Sequence, residues 1–206
     1  MTEPVRLSCD LLILGGGAAG CLAAVEAKER APEARVVVLE KAHLYRSGCL
    51  AAGLSALNAY LTPGEPPQTF LDYVKKDSAG IVRDDLVLSM AEGLNEQVHR
   101  VEKWGLPIPR DDHGRYLKRG RASIKIFGER LKPLLGKAAE KSGATILNRF
   151  VATGLACRDG RVSGAYGFSE RTGVFCAIAA KAVLVATGGA AGLYRPNNPG
   201  HARPRM

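Results

Sequence analysis

The chain has 206 residues, 46% of them apolar and 24% charged, enough for one sizeable core. A formal net charge of +9 is spread along it, with local density at Lys118, Arg119, Arg121 and Lys125; no RNA-binding or helix-turn-helix signature accompanies it, so a solvated basic surface is expected rather than a nucleic-acid face. Five cysteines without a CxxC pair exclude a disulfide framework and argue against a zinc or iron–sulfur site, and with neither a signal peptide nor a membrane-length apolar run a soluble, cytoplasmic protein is expected.

The elements follow in chain order. Asp10 to Leu14 reads as a buried parallel strand, Ala18 to Arg30 as an Ala-rich helix closed by Pro32, and Arg35 to Leu39 as a second buried strand. Together they form a βαβ unit. Residues 41–60 hold the small-residue run RSGCLAAGLSALNAY, a composition that suits close approach of backbone to a ligand. After the TPGEPP break, a short helix is predicted from Thr69 to Lys76. A longer one runs from Asp84 or Asp85 to about Trp104, with Leu86, Val87, Met90, Leu94, Val98 and Val101 on its apolar face. Gly105 stops it, Asp111 to Gly114 makes a polar turn, and Glu129 to Lys141 is a further helix ended by Gly143. The last third reads as a β-meander: a strand, the Asp159-Gly160 turn, a second strand, the Thr172-Gly173 turn, then two strand-like runs ending at Ala182 to Ala186. The expected division is 1–60 (βαβ plus loop), 61–142 (helical insertion), 143–192 (β-meander) and 193–206 (tail).

Gly15, Gly17 and Gly20 form G-x-G-x-x-G between a strand and a helix. The first glycine allows the tight turn, the second lets backbone approach a pyrophosphate, and the third lets helix and strand pack closely. The helix N-terminus offers free N–H groups to phosphate. Glu40 ends the second strand, where a carboxylate can take ribose hydroxyls and disfavours a 2′-phosphate. The small-residue loop after Glu40, in place of another crossover helix, favours an extended flavin cofactor over NAD. The distant VLVATGG puts bare backbone at the carboxyl end of the sheet, where ligands bind.

The segments DLLILGGGAAGCLAA, VVVLEKAHLYRSGCLAAGLSALNAYL, VEKWGLPI and AKAVLVATGGAAGLYRPNNPG together resemble the flavoprotein family of fumarate reductase and succinate dehydrogenase, in particular its adenylylsulfate (APS)-reductase-like branch. The resemblance covers nearly the whole chain. It implies an α/β, Rossmann-like FAD-binding domain with a glutathione-reductase-type βαβ start. It implies that Gly15, Gly16, Gly17, Ala18, Ala19 and Gly20 hold the FAD pyrophosphate, and that Glu40 with Lys41 holds the adenosine ribose. Ser47, Gly48, Ala51, Ala52 and Gly53 would line the flavin end, Asn58 would stand near its reactive face, Val151 would contact adenine, and Ala186, Thr187, Gly188 and Gly189 would pass close to the cofactor. Tyr45 and Arg46 stand where the covalent-flavin branch has its histidine pattern, so non-covalent FAD is expected. Cys49 and Ala52 depart from the APS-reductase pattern and leave the substrate open between APS with sulfite and a dicarboxylate. The family's capping domain, with its catalytic Arg and His, has no counterpart before Met206.

The expected function is therefore the FAD-binding part of an oxidoreductase that passes electrons between a small anionic substrate, the flavin and an iron–sulfur partner. The alternatives are a truncated FAD-binding module without activity of its own and, further off, an NAD-binding regulatory domain. His43, His99, His113 and His201 have no visible partner and read as surface or structural groups. Trp104 reads as core, and Asp84, Asp85, Asp111 and Asp112 as a helix start and a turn.

Overall fold

The computed structural model describes residues 4–58, 60–120 and 123–189; Arg121, the RPNNPG segment, His201 and the 193–206 tail lie outside them. Strand β1 (Val5–Leu14) leads through a glycine turn into helix α1 (Ala18–Arg30), which returns to strand β2 (Val36–Glu40). All five residues of β2 are buried, as expected for a parallel strand covered on both faces. A single 3-10 turn (Cys49–Ala52) and strand β3 (Ala56–Leu57) follow, then helices α2 (Pro67–Asp77) and α3 (Asp84–Lys103). Strand β4 (Ile124–Lys125) pairs with β3 and precedes helix α4 (Gly128–Lys141). The chain ends in β5 (Thr145–Asn148), β6 (Phe150–Arg158), β7 (Arg161–Ser169) and β8 (Phe175–Val185).

These strands build a six-stranded sheet in the order β5-β2-β1-β8-β7-β6. The β5, β2, β1 and β8 strands run parallel, and β8, β7 and β6 form an antiparallel meander. One face packs on α1, α3 and α4 through Ile13, Cys21, Val38, Val98, Leu131 and Leu135. On the other face Phe150, Ala165, Cys176 and Ile178 of the meander close over Leu12, Leu14, Val37 and Leu39. The predicted α/β class with a βαβ start, a helical middle and a meander is the one observed.

Several local expectations are corrected. Strand β1 begins at Val5 rather than Asp10, because its exposed first half is held by pairing with β8 from the Val5–Cys176 position onward. The two runs expected after Thr172-Gly173 are one continuous strand, β8, since β1 offers it a partner along almost its whole length. Helix α2 starts at Pro67, a residue whose missing N–H suits the first helical position. On α3, Leu86 and Met90 are exposed, so the apolar stripe is narrower than predicted and runs through Val87, Ala91, Leu94, Val98 and Val101. Trp104 is half-buried at the edge of the core, with the Arg100 guanidinium 5.1 Å from its ring centroid.

Candidate functional site

The glycine turn sits where β1, β2 and β8 end together. Gly15 N–H donates to Leu39 O at 2.8 Å, and Ala186 N–H donates to Leu14 O at 2.8 Å, so both neighbouring strands clamp the turn. A Cβ on Gly15 would come within 2.4 Å of the Ala186 carbonyl oxygen, and one on Gly20 within 1.9 Å of the Gly15 carbonyl oxygen. Both positions are therefore closed by the protein's own backbone. Gly17 differs: a Cβ there would meet no atom of the described residues within 4 Å. It is the N-cap of α1, and that helix carries no acidic residue in its first turn. The turn thus presents open space to the N–H groups of Ala18, Ala19 and Gly20, which an anion can fill.

Glu40, buried at the end of β2, faces this turn. Its Oε2 accepts from Gly16 N–H at 2.7 Å, and its Oε1 accepts from Ala42 N–H at 2.8 Å. Each oxygen keeps acceptor capacity for a hydroxyl. Lys41 beside it is exposed. The small-residue loop folds back over the turn: a Cβ on Gly48 would lie 3.2 Å from Gly17 Cα, and the buried Ser47 hydroxyl donates to Gly16 O at 3.2 Å. Ala51 and Ala52 lie on the exposed 3-10 turn, and Gly53 closes it in the left-handed region.

The remaining candidates spread outward from this centre. Ala186 follows β8 against the core, and Thr187, Gly188 and Gly189 are exposed beyond it. Val151 lies in β6, paired with Phe168 on β7. Asn58 is exposed and accepts a hydrogen bond at 2.5 Å from Ser123 Oγ, which ties the loop to the hairpin before β4. That hairpin carries the basic cluster. Lys118 donates to Thr62 Oγ1 at 2.7 Å, and Arg119 donates to Ser55 Oγ, so these cations hold the loop. His43 accepts the Tyr45 N–H, and exposed His99 packs edge-on to Tyr60. His113 is exposed in the polar turn. Among the described residues no cluster of His, Cys, Asp and Glu could hold a metal ion, and no helix is long and apolar enough to cross a membrane.

Sequence reasoning missed the support behind the turn. Helix α4 presents Gly128, Lys132, Gly136 and Glu140, four apart, to the two loops. Gly128 admits the Leu54 backbone, whose oxygen would lie 1.5 Å from a Cβ. Lys132, 1% exposed, donates to the Gly16 carbonyl. Gly136 makes room for the Tyr45 ring, 2.8 Å from a Cβ, and Glu140 accepts from the Tyr45 hydroxyl. Asn148 Oδ1 adds an acceptor for Leu44 N–H at 2.7 Å. The available signal was a lysine between Leu131 and Leu135 on the apolar side of a helix.

The family model of the FAD binding domain matches residues 10–204. The alpha subunit of adenylylsulfate reductase from Megalodesulfovibrio gigas is 34% identical over the whole chain, which covers 35% of that protein. The 8-methylmenaquinol:fumarate reductase flavoprotein subunit of Wolinella succinogenes is 31% identical over 88% of the chain, matching 31% of its own length. Among solved structures, adenylylsulfate reductase from Archaeoglobus fulgidus superposes with a TM-score of 0.86 at 38% identity, over 96% of this chain and 33% of that one. The chain thus spans about a third of the length of the relatives it matches.

Proposed function

The chain belongs to the FAD binding domain family, its cofactor is FAD, and on that premise we propose that its glycine turn, Glu40 and folded-back loop are the FAD site of an APS-reductase-like or fumarate-reductase-like oxidoreductase. The observation that carries this is the pairing of open space at Gly17 with a buried carboxylate at Glu40 that is already bonded to the same turn. The residues fit the group. The N–H groups of Gly17, Ala18 and Ala19 suit its pyrophosphate, and the free lone pairs of Glu40 suit the ribose hydroxyls, with Lys41 alongside. Bound FAD supplies acceptance and release of an electron pair. The chain's own part is to hold and orient it and to exclude water.

Ser47, Gly48 and Ala51 to Gly53 carry the flavin end, and Asn58, fixed by Ser123, stands toward the substrate side. Val151 and Ala186 to Gly189 complete the cradle. The flavin is held non-covalently. The substrate is a small anion, either APS with sulfite or a dicarboxylate, and the electrons pass to an iron–sulfur partner in the cytoplasm. A visible spectrum of the purified chain tests the core of this reading: the bands of an oxidised flavin, released by denaturation, are expected. A colourless protein that takes up NAD but not FAD would overturn it.

A further inference from the structure

Lys132 is the buried group that the site as described leaves without a task. The residue is 1% exposed, and the two bonding partners of its amine are both neutral: the Gly16 carbonyl oxygen and, at 3.5 Å, Cys21 Sγ. Burial pushes the Cys21 thiol up from its ordinary value, so it stays protonated and supplies no countercharge; its S–H in turn donates to Gly16 O at 3.3 Å. No carboxylate lies within ion-pair distance of Lys132 among the described residues. The carboxylates that share this surrounding, Glu40 on the Gly16 N–H and Glu140 further along α4, both act on Cys21 but stand beyond ion-pair distance of Lys132, so its charge is only partly compensated.

The direction of the contact sets which way the peptide is held. The Gly16 carbonyl takes three donors from the core side: Lys132, Ser47 and Cys21. In a trans peptide the carbonyl and the next N–H point opposite ways, and no described peptide bond is cis. Gly17 N–H therefore points away from Lys132, and it has no partner among the described residues. That is the open side of the turn. A positive charge on the carbonyl oxygen also polarises the peptide and makes its N–H a stronger donor.

We propose that Lys132 is a positioning residue for the cofactor's pyrophosphate: bonded to the Gly16 carbonyl, it fixes the Gly16–Gly17 peptide with its N–H outward and adds a buried positive charge behind the turn. The inference rests on the FAD-site reading above. It places a determinant of phosphate affinity on α4, far from the glycine motif in sequence.

The test compares wild type, Lys132→Met, Lys132→Gln and Gly17→Val in the 206-residue chain, measuring the Kd of FAD, ADP and adenosine and the melting temperature with and without FAD. Both Lys132 variants should bind FAD and ADP at least about tenfold more weakly and adenosine unchanged. Lys132→Met should melt no lower than wild type without ligand, because an apolar side chain replaces a buried charge that no carboxylate meets within ion-pair distance among the described residues, and its FAD-induced rise in melting temperature should shrink. A merely structural lysine would instead lower the ligand-free melting temperature and weaken all three ligands alike. Unchanged FAD and ADP affinity, or failure of both variants to fold, overturns the proposal. If Gly17→Val also binds FAD like wild type, the site reading itself fails; if only the Lys132 variants are silent, the site stands and the lysine's role does not.

Discussion

Among single residues, the three motif glycines separate into different physical jobs. Gly20 is a packing residue: its absent Cβ makes room for the Gly15 carbonyl, which would otherwise lie 1.9 Å away. Gly20→Ala should cost about 3 kcal/mol, the upper end for overpacking, read from denaturant unfolding without cofactor. Gly17 has no such neighbour, so a substitution there acts on the ligand and spares the fold. The spacing of the motif already distinguishes a packing glycine at position 20 from an approach glycine at position 17, and the structure agrees, whereas the backbone atoms that close on Gly15 and Gly20 depend on how β8 and α1 sit against the turn. Glu40 was legible for the same reason that it is useful, since it ends a strand of uninterrupted apolar residues. Its bonds to Gly16 and Ala42 were not legible, because they depend on how β1 and β2 end beside one another.

At the level of elements, α3 and the following hairpin meet at a buried phenol. Tyr116 donates to Glu102, and Arg110 lies 4.2 Å over its ring and pairs with the same carboxylate at 2.9 Å. Burial, with that hydrogen bond second, pushes the Tyr116 phenol up to about 12 from 10.0. A group whose proton is held more tightly when folded contributes stability that is complete below its unfolded pKa and lost as pH rises through the folded one. Tyr45 is also raised, chiefly by its bond to Glu140, so the contribution has to be isolated by difference. The urea midpoint of wild type should fall more steeply than that of Tyr116→Phe between about pH 9 and about pH 11.5. Helix α4 shows the limit of reading elements from sequence. The range expected from the Gly143 stop, Glu129 to Lys141, lies within a residue of the observed one. The stripe Gly128, Lys132, Gly136 and Glu140 gains meaning only from the loops laid against it, and those come from residues 16 to 54.

In the molecule as a whole, only β2 among the parallel strands is buried along its full length, whereas the first half of β1, much of β8 and the meander leave apolar side chains exposed. Phe168 and Phe175 are register partners, and Tyr166, two residues before Phe168 on the same face of β7, packs near Phe175. Replacing Phe168 and Phe175 together by Ser should lower the fluorescence of an apolar-surface dye and also lower the melting temperature by a few degrees, because each residue, 39% and 46% exposed, still has more than half of its surface packed. The meander itself and its Asp159-Gly160 and Thr172-Gly173 turns are legible in the sequence, but which of its faces meets solvent is not, since that depends on which one closes over Leu12 and Leu14. The contact between Lys132 and Gly16 spans 116 residues of chain. During synthesis the glycine motif leaves the ribosome long before the helix that aims its peptide, a delay of roughly 6–23 s at ordinary elongation rates. If the proposed site is right, the nascent chain carries the nucleotide signature before it has a nucleotide grip, and cofactor capture waits for α4 and β8 rather than for the motif that announces it.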